Sequence, residues 1–232
     1  REASGGVVEG GLGRVIIVGS SGIVVRDQTS SVEISHSSSI TVTGSSGFVA
    51  LLWSSNNLVR ENAFTGSGIH LEASSSNVIE RNVFSQSSLC ANVYGSPSNV
   101  FQDNRFDRCA RALRIENARF NLVDHNLFLD SSEIGIESFS TGLGNDGTAV
   151  RRNAFAGNAL GIRVYMTPIT VQQNNVAGNG IGLRMDSPAI QSAPDNWWGC
   201  PAGPGASGCD AALGPVSVAP VSAAPHATAG PR

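Results

Sequence analysis

The chain has 232 residues, a formal net charge of −3 and 15 basic residues, every one of them arginine. Without a basic surplus it offers no footprint for nucleic acid or an anionic membrane surface. Without lysine it can form no Schiff base and use no lysine general base. No apolar run approaches the ~18 residues of a membrane span, and 27 glycines among many serines suit short strands and tight turns.

In chain order, residues 1–13 are Gly-rich and read as an N-terminal lead-in, with Arg1 in place of Met indicating a processed or cut start. A first strand is expected at Arg14–Val18. Short β-branched runs follow, among them Gly22-Ile23-Val24-Val25, Val32-Glu33-Ile34 and Ile40-Thr41-Val42. Ser and Gly clusters bound each run, which predicts strands joined by turns and two early coils of a repeating fold.

From Asn57 the repeat is explicit. Asn57-Leu58-Val59-Arg60-Glu61-Asn62-Ala63-Phe64 returns as Asn77-Val78-Ile79-Glu80-Arg81-Asn82-Val83-Phe84 and again around Asn104, Asn126 and Asn153, with a weaker copy at Asn174. The second Asn of each unit, counted on to Asn196, advances by 20, 22, 22, 27, 21 and 22 residues. Such a period defines a stacked, quasi-one-dimensional fold. Coils stack about 4.8 Å apart, so equivalent residues form ladders: the turn Asn as an amide ladder, and Phe64, Phe84, Phe106, Phe128 and Phe155 as a buried aromatic column. Opposite charges on adjacent coils, Arg60 with Glu80 and Glu61 with Arg81, are expected to pair.

Each unit carries a second alternating strand about eight residues past its turn Asn, as in Ala112-Leu113-Arg114-Ile115-Glu116 and Gly161-Ile162-Arg163-Val164-Tyr165. Leu, Ile and Val at every second position predict one buried face and one outward face. Stacked in order, the outward column reads His70, Asn92, Arg114, Glu137, Arg163 and Arg184. A parallel column two residues on reads Glu72, Tyr94, Glu116, Phe139, Tyr165 and Asp186, and the small residues Gly68, Cys90, Ala112, Gly135, Gly161 and Gly182 are expected to leave a shallow trough beside them. Helical periodicity is absent, so the fold class is all-β: a single-stranded right-handed parallel β-helix of about 20–22 residues per coil, spanning 14–199.

The 27-residue step places an insertion at Phe139–Gly147 that is expected to protrude as a loop, with Gly144-Asn145-Asp146-Gly147 as a weak calcium candidate. Otherwise no metal or cofactor is expected. Cys200 and Cys209 bracket a Gly/Pro loop that reads as a disulfide staple, with a zinc site as the alternative. Together with Trp197 and Trp198 this loop would cap the open end of the solenoid over residues 200–214. Residues 215–232, rich in Ala and Pro, read as a flexible tail.

The Asn-x-Val/Ile-x-x-Asn-x-Phe unit followed by Gly-Ile-x-Val resembles the parallel β-helix repeat family, which includes pectate-lyase-like folds. Asn196-Trp197-Trp198-Gly199 with Gly203-Pro204 looks like the carboxy-terminal end of secreted bacterial members. The resemblance implies export (extracellular, cell-surface or periplasmic) and a polysaccharide ligand. Motifs of the hydrolase and epimerase members are missing, and Val123-Asp124-His125-Asn126, similar to an Asp-His lyase signature, sits where other coils carry surface charges.

Three functions follow from these residues. The first is glycan binding or presentation along the Arg/Glu/Tyr face, with His70, Asn92, Tyr94, Phe139, Tyr165 and Arg184 as contacts. The second is a polysaccharide lyase, epimerase or hydrolase: Arg114 or Arg163 would neutralise a uronate before a base removes its proton, or Glu116 and Glu137 would act as acid and base. The third is a structural spacer at the cell surface.

Overall fold

A computed structural model describes residues 4–141 and 144–232. Its strands are short and parallel, and each pairs with the equivalent strand one coil away. A nine-stranded sheet runs from Ser4–Gly11 to Thr170–Gln172, a six-stranded sheet from Ala63–Thr65 to Asn175–Val176, and a ten-stranded sheet from Val15–Val18 through Ile181–Asp186 to Ala212–Leu213. The molecule is a parallel β-helix, and the ten-stranded sheet carries both predicted columns; it is called the face sheet below.

The predicted ladders form its inside. Phe64, Phe84, Phe106, Phe128 and Phe155 stack with centroids 4.7–4.9 Å apart. Val176 continues the column through its register with Phe155, and fully buried Trp198 lies beyond it. The Asn side chains link coil to coil from Asn62 to Asn196. Two further Asn ladders run beside this one: Asn57, Asn77, Asn99 and Asn121, and Asn158 with Asn179. The latter ends on the Asp210 carboxylate, which accepts from the Gly178 and Asn179 amides. The Arg60–Glu80 pair does not form, because Glu80 is taken by Arg81 at 2.7 Å and Gln102 at 2.8 Å; Arg81 also lies 3.5 Å from Glu61.

Several expectations change. The early coils advance by 17 residues rather than 20–22, because the six-stranded sheet begins only at Ala63 and they are built from two sheets. The Gly-rich lead-in is a strand, Ser4–Gly11, in register with Ser21–Gln28, while residues 1–3 lie outside the described residues. Nor does the insertion simply protrude. Asn145 is fully buried, and its side-chain oxygen accepts from the Ala118 amide where other coils use a serine hydroxyl. Asp146 pairs with Arg119 at 3.0 Å, and no three His, Cys, Asp or Glu side chains converge here among the described residues. Gly142 and Leu143, part of the same insertion, lie outside the described residues.

The tail expected to be flexible is docked. Val216–Ser217 pairs with Gln191–Ser192, and the chain then runs back along the turn column. Ser222 donates to the Asn196 carbonyl, His226 exchanges two bonds with the Asn175 side chain, and Gly230 donates to the Arg152 carbonyl. Arg232 bonds Asp103 through its amide and guanidinium. Ala/Pro composition removes side-chain anchors, but backbone groups supply most of these bonds.

Candidate functional site

Each face-sheet strand of the regular coils alternates around a kink. In Arg111–Glu116 the side chains of Arg111, Arg114 and Glu116 face outward, while Ala112, Leu113 and Ile115 are buried. The small residues expected to line a trough sit at this kink and point inward. Cys90 and Ala112 are fully buried, and a Cβ on Gly135 would lie 3.3 Å from the Phe155 ring. Cys90 bonds Cys109, a pairing the spacing did not announce, and Cys200 bonds Cys209, so no described cysteine is free. The staple is therefore a disulfide and the zinc alternative falls.

Both outward columns hold register. His70, Asn92, Arg114, Glu137, Arg163 and Arg184 are consecutive partners, as are Glu72, Tyr94, Glu116, Phe139, Tyr165 and Asp186. At their centre lies Glu137, only 4% exposed. Arg163 donates to one carboxylate oxygen at 3.1 Å, while Arg111 and Arg114 each place a nitrogen 3.7 Å from the other. That second oxygen is buried and has no hydrogen-bond partner, as is the Arg114 Nε facing it. The arginines are shared outward: Arg111 with Glu133 at 2.7 Å, Arg114 with Glu116 at 2.8 Å, Arg163 with Asp186 at 2.8 Å, and Arg184 with Asp186.

Four arginines thus meet four carboxylates, and the cluster carries no net charge. Burial pushes the Asp186 carboxyl up, but hydrogen bonds from Arg163 and Arg184 outweigh it and leave the group below its ordinary value. The Arg111 guanidinium is raised, chiefly by its bond to Glu133. Beside the cluster Phe139 and Tyr165 stack at 5.0 Å and 13°, and the Arg114 guanidinium lies 5.2 Å from the Phe139 centroid. Toward the N-terminal end, Asn92 donates to His70 Nδ1 at 3.1 Å, His70 Nε2 lies 3.4 Å from Glu72, and Tyr94 stands 45% exposed.

Counting from the turn Asn located every member of these columns but missed Arg111 and Glu133. Strict alternation would bury Arg111; the kink at the small residue turns it out again. An Arg two residues before an expected buried apolar position was the available signal.

A second buried cluster lies on the opposite turn. Asp124 and His125, expected as an ordinary surface pair, are 6% and 3% exposed. Arg152 clamps the Asp124 carboxylate, Arg151 lies 3.7 Å away and His125 Nδ1 3.1 Å away. Burial is the largest influence on Asp124 and raises it, yet the Arg152 bond with the His125 and Arg151 charges leaves it below the ordinary range. The docked tail passes this cluster, since Gly230 and Arg232 bond Arg152 and Asp103, the turn residues one coil to either side of His125. Removing residues 222–232 is therefore expected to leave the far-ultraviolet circular dichroism unchanged while carbethoxylation of His125, read by mass spectrometry, accelerates roughly tenfold or more. Unchanged labelling of His125 would show that the tail is not its cover.

Fold and site together define a parallel β-helix whose face sheet carries an arginine–carboxylate network flanked by stacked aromatic rings. The chain belongs to the NosD family, described as periplasmic copper-binding proteins, whose model matches residues 5–198. No curated protein matches it. Among solved structures it is similar to an alginate lyase from Paenibacillus sp. str. FPU-7, with a TM-score of 0.57 and 12% identity over 93% of this chain and 86% of that one. It also resembles the periplasmic alginate epimerase AlgG, with a TM-score of 0.47 and 15% identity, 87% of this chain aligning with 45% of the epimerase. At these identities the likeness is one of fold.

The periplasmic family and the two disulfides agree with an exported protein. Among the described residues no helix is long and apolar enough to cross a membrane. Copper finds no ligand set in the described residues. Copper favours imidazole, thiolate and thioether donors, yet all four cysteines are in disulfides, and no three His, Cys, Asp or Glu side chains converge.

Proposed function

We propose that this protein binds an extended polysaccharide along the outward face of the face sheet, centred on Glu137. The observation that carries this reading is the Phe139–Tyr165 stack, partly exposed beside the arginine–carboxylate network that closes over Glu137. A sugar ring packs on the flat faces of these aromatics, and the partly exposed arginines and carboxylates around Glu137 exchange hydrogen bonds with its hydroxyls. The arginines are already neutralised by Glu116, Glu133, Glu137 and Asp186, so the face suits the hydroxyls of a glycan more than its carboxylates. The same arrangement argues against the acid–base pair considered for hydrolysis, because Glu116 and Glu137 both face the Arg114 guanidinium. A similar solenoid that acts on alginate supports a polysaccharide as the ligand class for this scaffold.

The test is retardation of the protein in native gels containing neutral or uronate polysaccharides, run beside an ultraviolet assay for unsaturated lyase products. Wild type is expected to be retarded without product, and Glu137→Gln to lose retardation by roughly tenfold in affinity. Product formation that disappears in Arg114→Ala would replace binding with a lyase. Retardation by no glycan would leave the structural spacer.

A further inference from the structure

The turn that closes each face-sheet strand is left-handed in coil after coil. Its ladder runs Gly19, His36, Trp53, Ala73, Gly95 and Asn117, each backbone amide donating to the carbonyl one coil on. Their φ angles lie between +47° and +57°. Gly and Asn adopt this region readily, whereas a bulky side chain there is an outlier that costs conformational energy. Trp53 bears that cost at φ +47° while remaining 54% exposed, so burial does not repay it. Its indole is held instead against the His36 ring, 5.4 Å between centroids and 17° from parallel, and His36 Nδ1 is within 2.8 Å of the Ser35 hydroxyl. An exposed ring held flat against a neighbouring ring offers a free face to a flat ligand.

Its position matches the rest of the face. Leu52, the residue before Trp53, is in register with Glu72 and then Tyr94, so Trp53 and Tyr94 are two coils apart. Tyr94 and Phe139 are likewise two coils apart, with Glu116 between them. From Trp53 to Phe139 aromatic rings therefore recur at every second coil, about 10 Å apart from the strand spacing, and Tyr165 stacks on Phe139 one coil further. One coil is roughly the length of a pyranose in an extended chain, and a two-fold glycan ribbon presents the same ring face at every second unit.

We propose that Trp53 on His36 is a distal sugar-binding subsite for an extended, two-fold glycan lying parallel to the solenoid axis, its far end at Phe139 and Tyr165. This rests on the glycan reading above and adds the ligand's direction, length and conformation. From Trp53 to Tyr165 is five coil steps, about 24 Å, so an oligosaccharide must exceed about five units to span both ends.

The experiment is a series of β-1,4-linked oligosaccharides of increasing length, measured by calorimetry on wild type, Trp53→Gly and Glu137→Gln. Trp53→Gly also removes the strained φ, so its melting temperature is expected to hold or rise, which separates lost binding from lost folding. In wild type the affinity should step upward once the chain spans the face. Trp53→Gly should abolish only that step, by roughly tenfold, and leave short chains unaffected. An identical length dependence in wild type and Trp53→Gly overturns the subsite while leaving the Glu137 centre intact. Equal loss at every length also overturns it, and no binding by wild type at any length overturns both readings.

Discussion

Asn126→Ala is expected to destabilise the protein by about 3–6 kcal/mol, the sum of several buried groups left without partners. The Asn126 side-chain oxygen accepts the backbone and side-chain N–H groups of Asn104, both at 2.9 Å. Its amide donates to Phe101 and Asp124 carbonyls and to the Asn153 oxygen, at 2.8, 3.0 and 3.0 Å. The site is fully buried, so water does not restore these bonds. Because each Asn accepts from one neighbouring coil and donates to the other, the whole ladder points one way along the axis, and a gap interrupts it for both neighbours. Urea unfolding followed by circular dichroism measures the effect, and a loss below about 1 kcal/mol would mean that the ladder follows the fold rather than holding it.

Phe106→Ala is expected to cost about 3–5 kcal/mol through the cavity it leaves. Phe106 stacks between Phe84 and Phe128 at 4.7 and 4.8 Å, with interplanar angles of 6° and 4°. Neighbouring rings are fixed by strand register, so the column cannot collapse to fill the gap, and the upper end of that range is anticipated. Phe106→Leu should recover most of the loss, because hydrophobic volume matters more here than the stacking geometry, worth only about 0.5–1.5 kcal/mol. Equal melting temperatures for the Ala and Leu variants would contradict the cavity argument.

Much of this architecture was legible because a solenoid repeats in sequence what it repeats in space. A ruler laid from one turn Asn to the next places Arg114, Glu137 and Arg163 in one column, and Tyr94, Glu116 and Phe139 in another. The ruler failed where local geometry departs from strict alternation. Arg111 was missed at the kink, and the residues expected to line a trough point inward there. It also failed where contacts are made between backbone groups rather than side chains. Nothing in an Ala/Pro-rich composition marks residues 222–232 as docked, since their bonds come largely from main-chain N–H and C=O groups that every sequence possesses.

By itself, then, the sequence determined the period, the buried Phe and Asn ladders and the register of the outward columns, because in-register stacking leaves each repeat position a single environment. Only the tertiary structure decided what those columns amount to. Glu137 is buried because three arginines from the two flanking coils close over it; Trp53 stands exposed against the His36 ring because both sit on left-handed turns of adjacent coils; and a segment a hundred residues later in the chain (the tail ending at Arg232, whose amide bonds Asp103 across 129 positions) returns to bond the turns on either side of Asp124 and His125. These features depend on distances between coils and on the return path of the chain. A one-dimensional repeat carries neither.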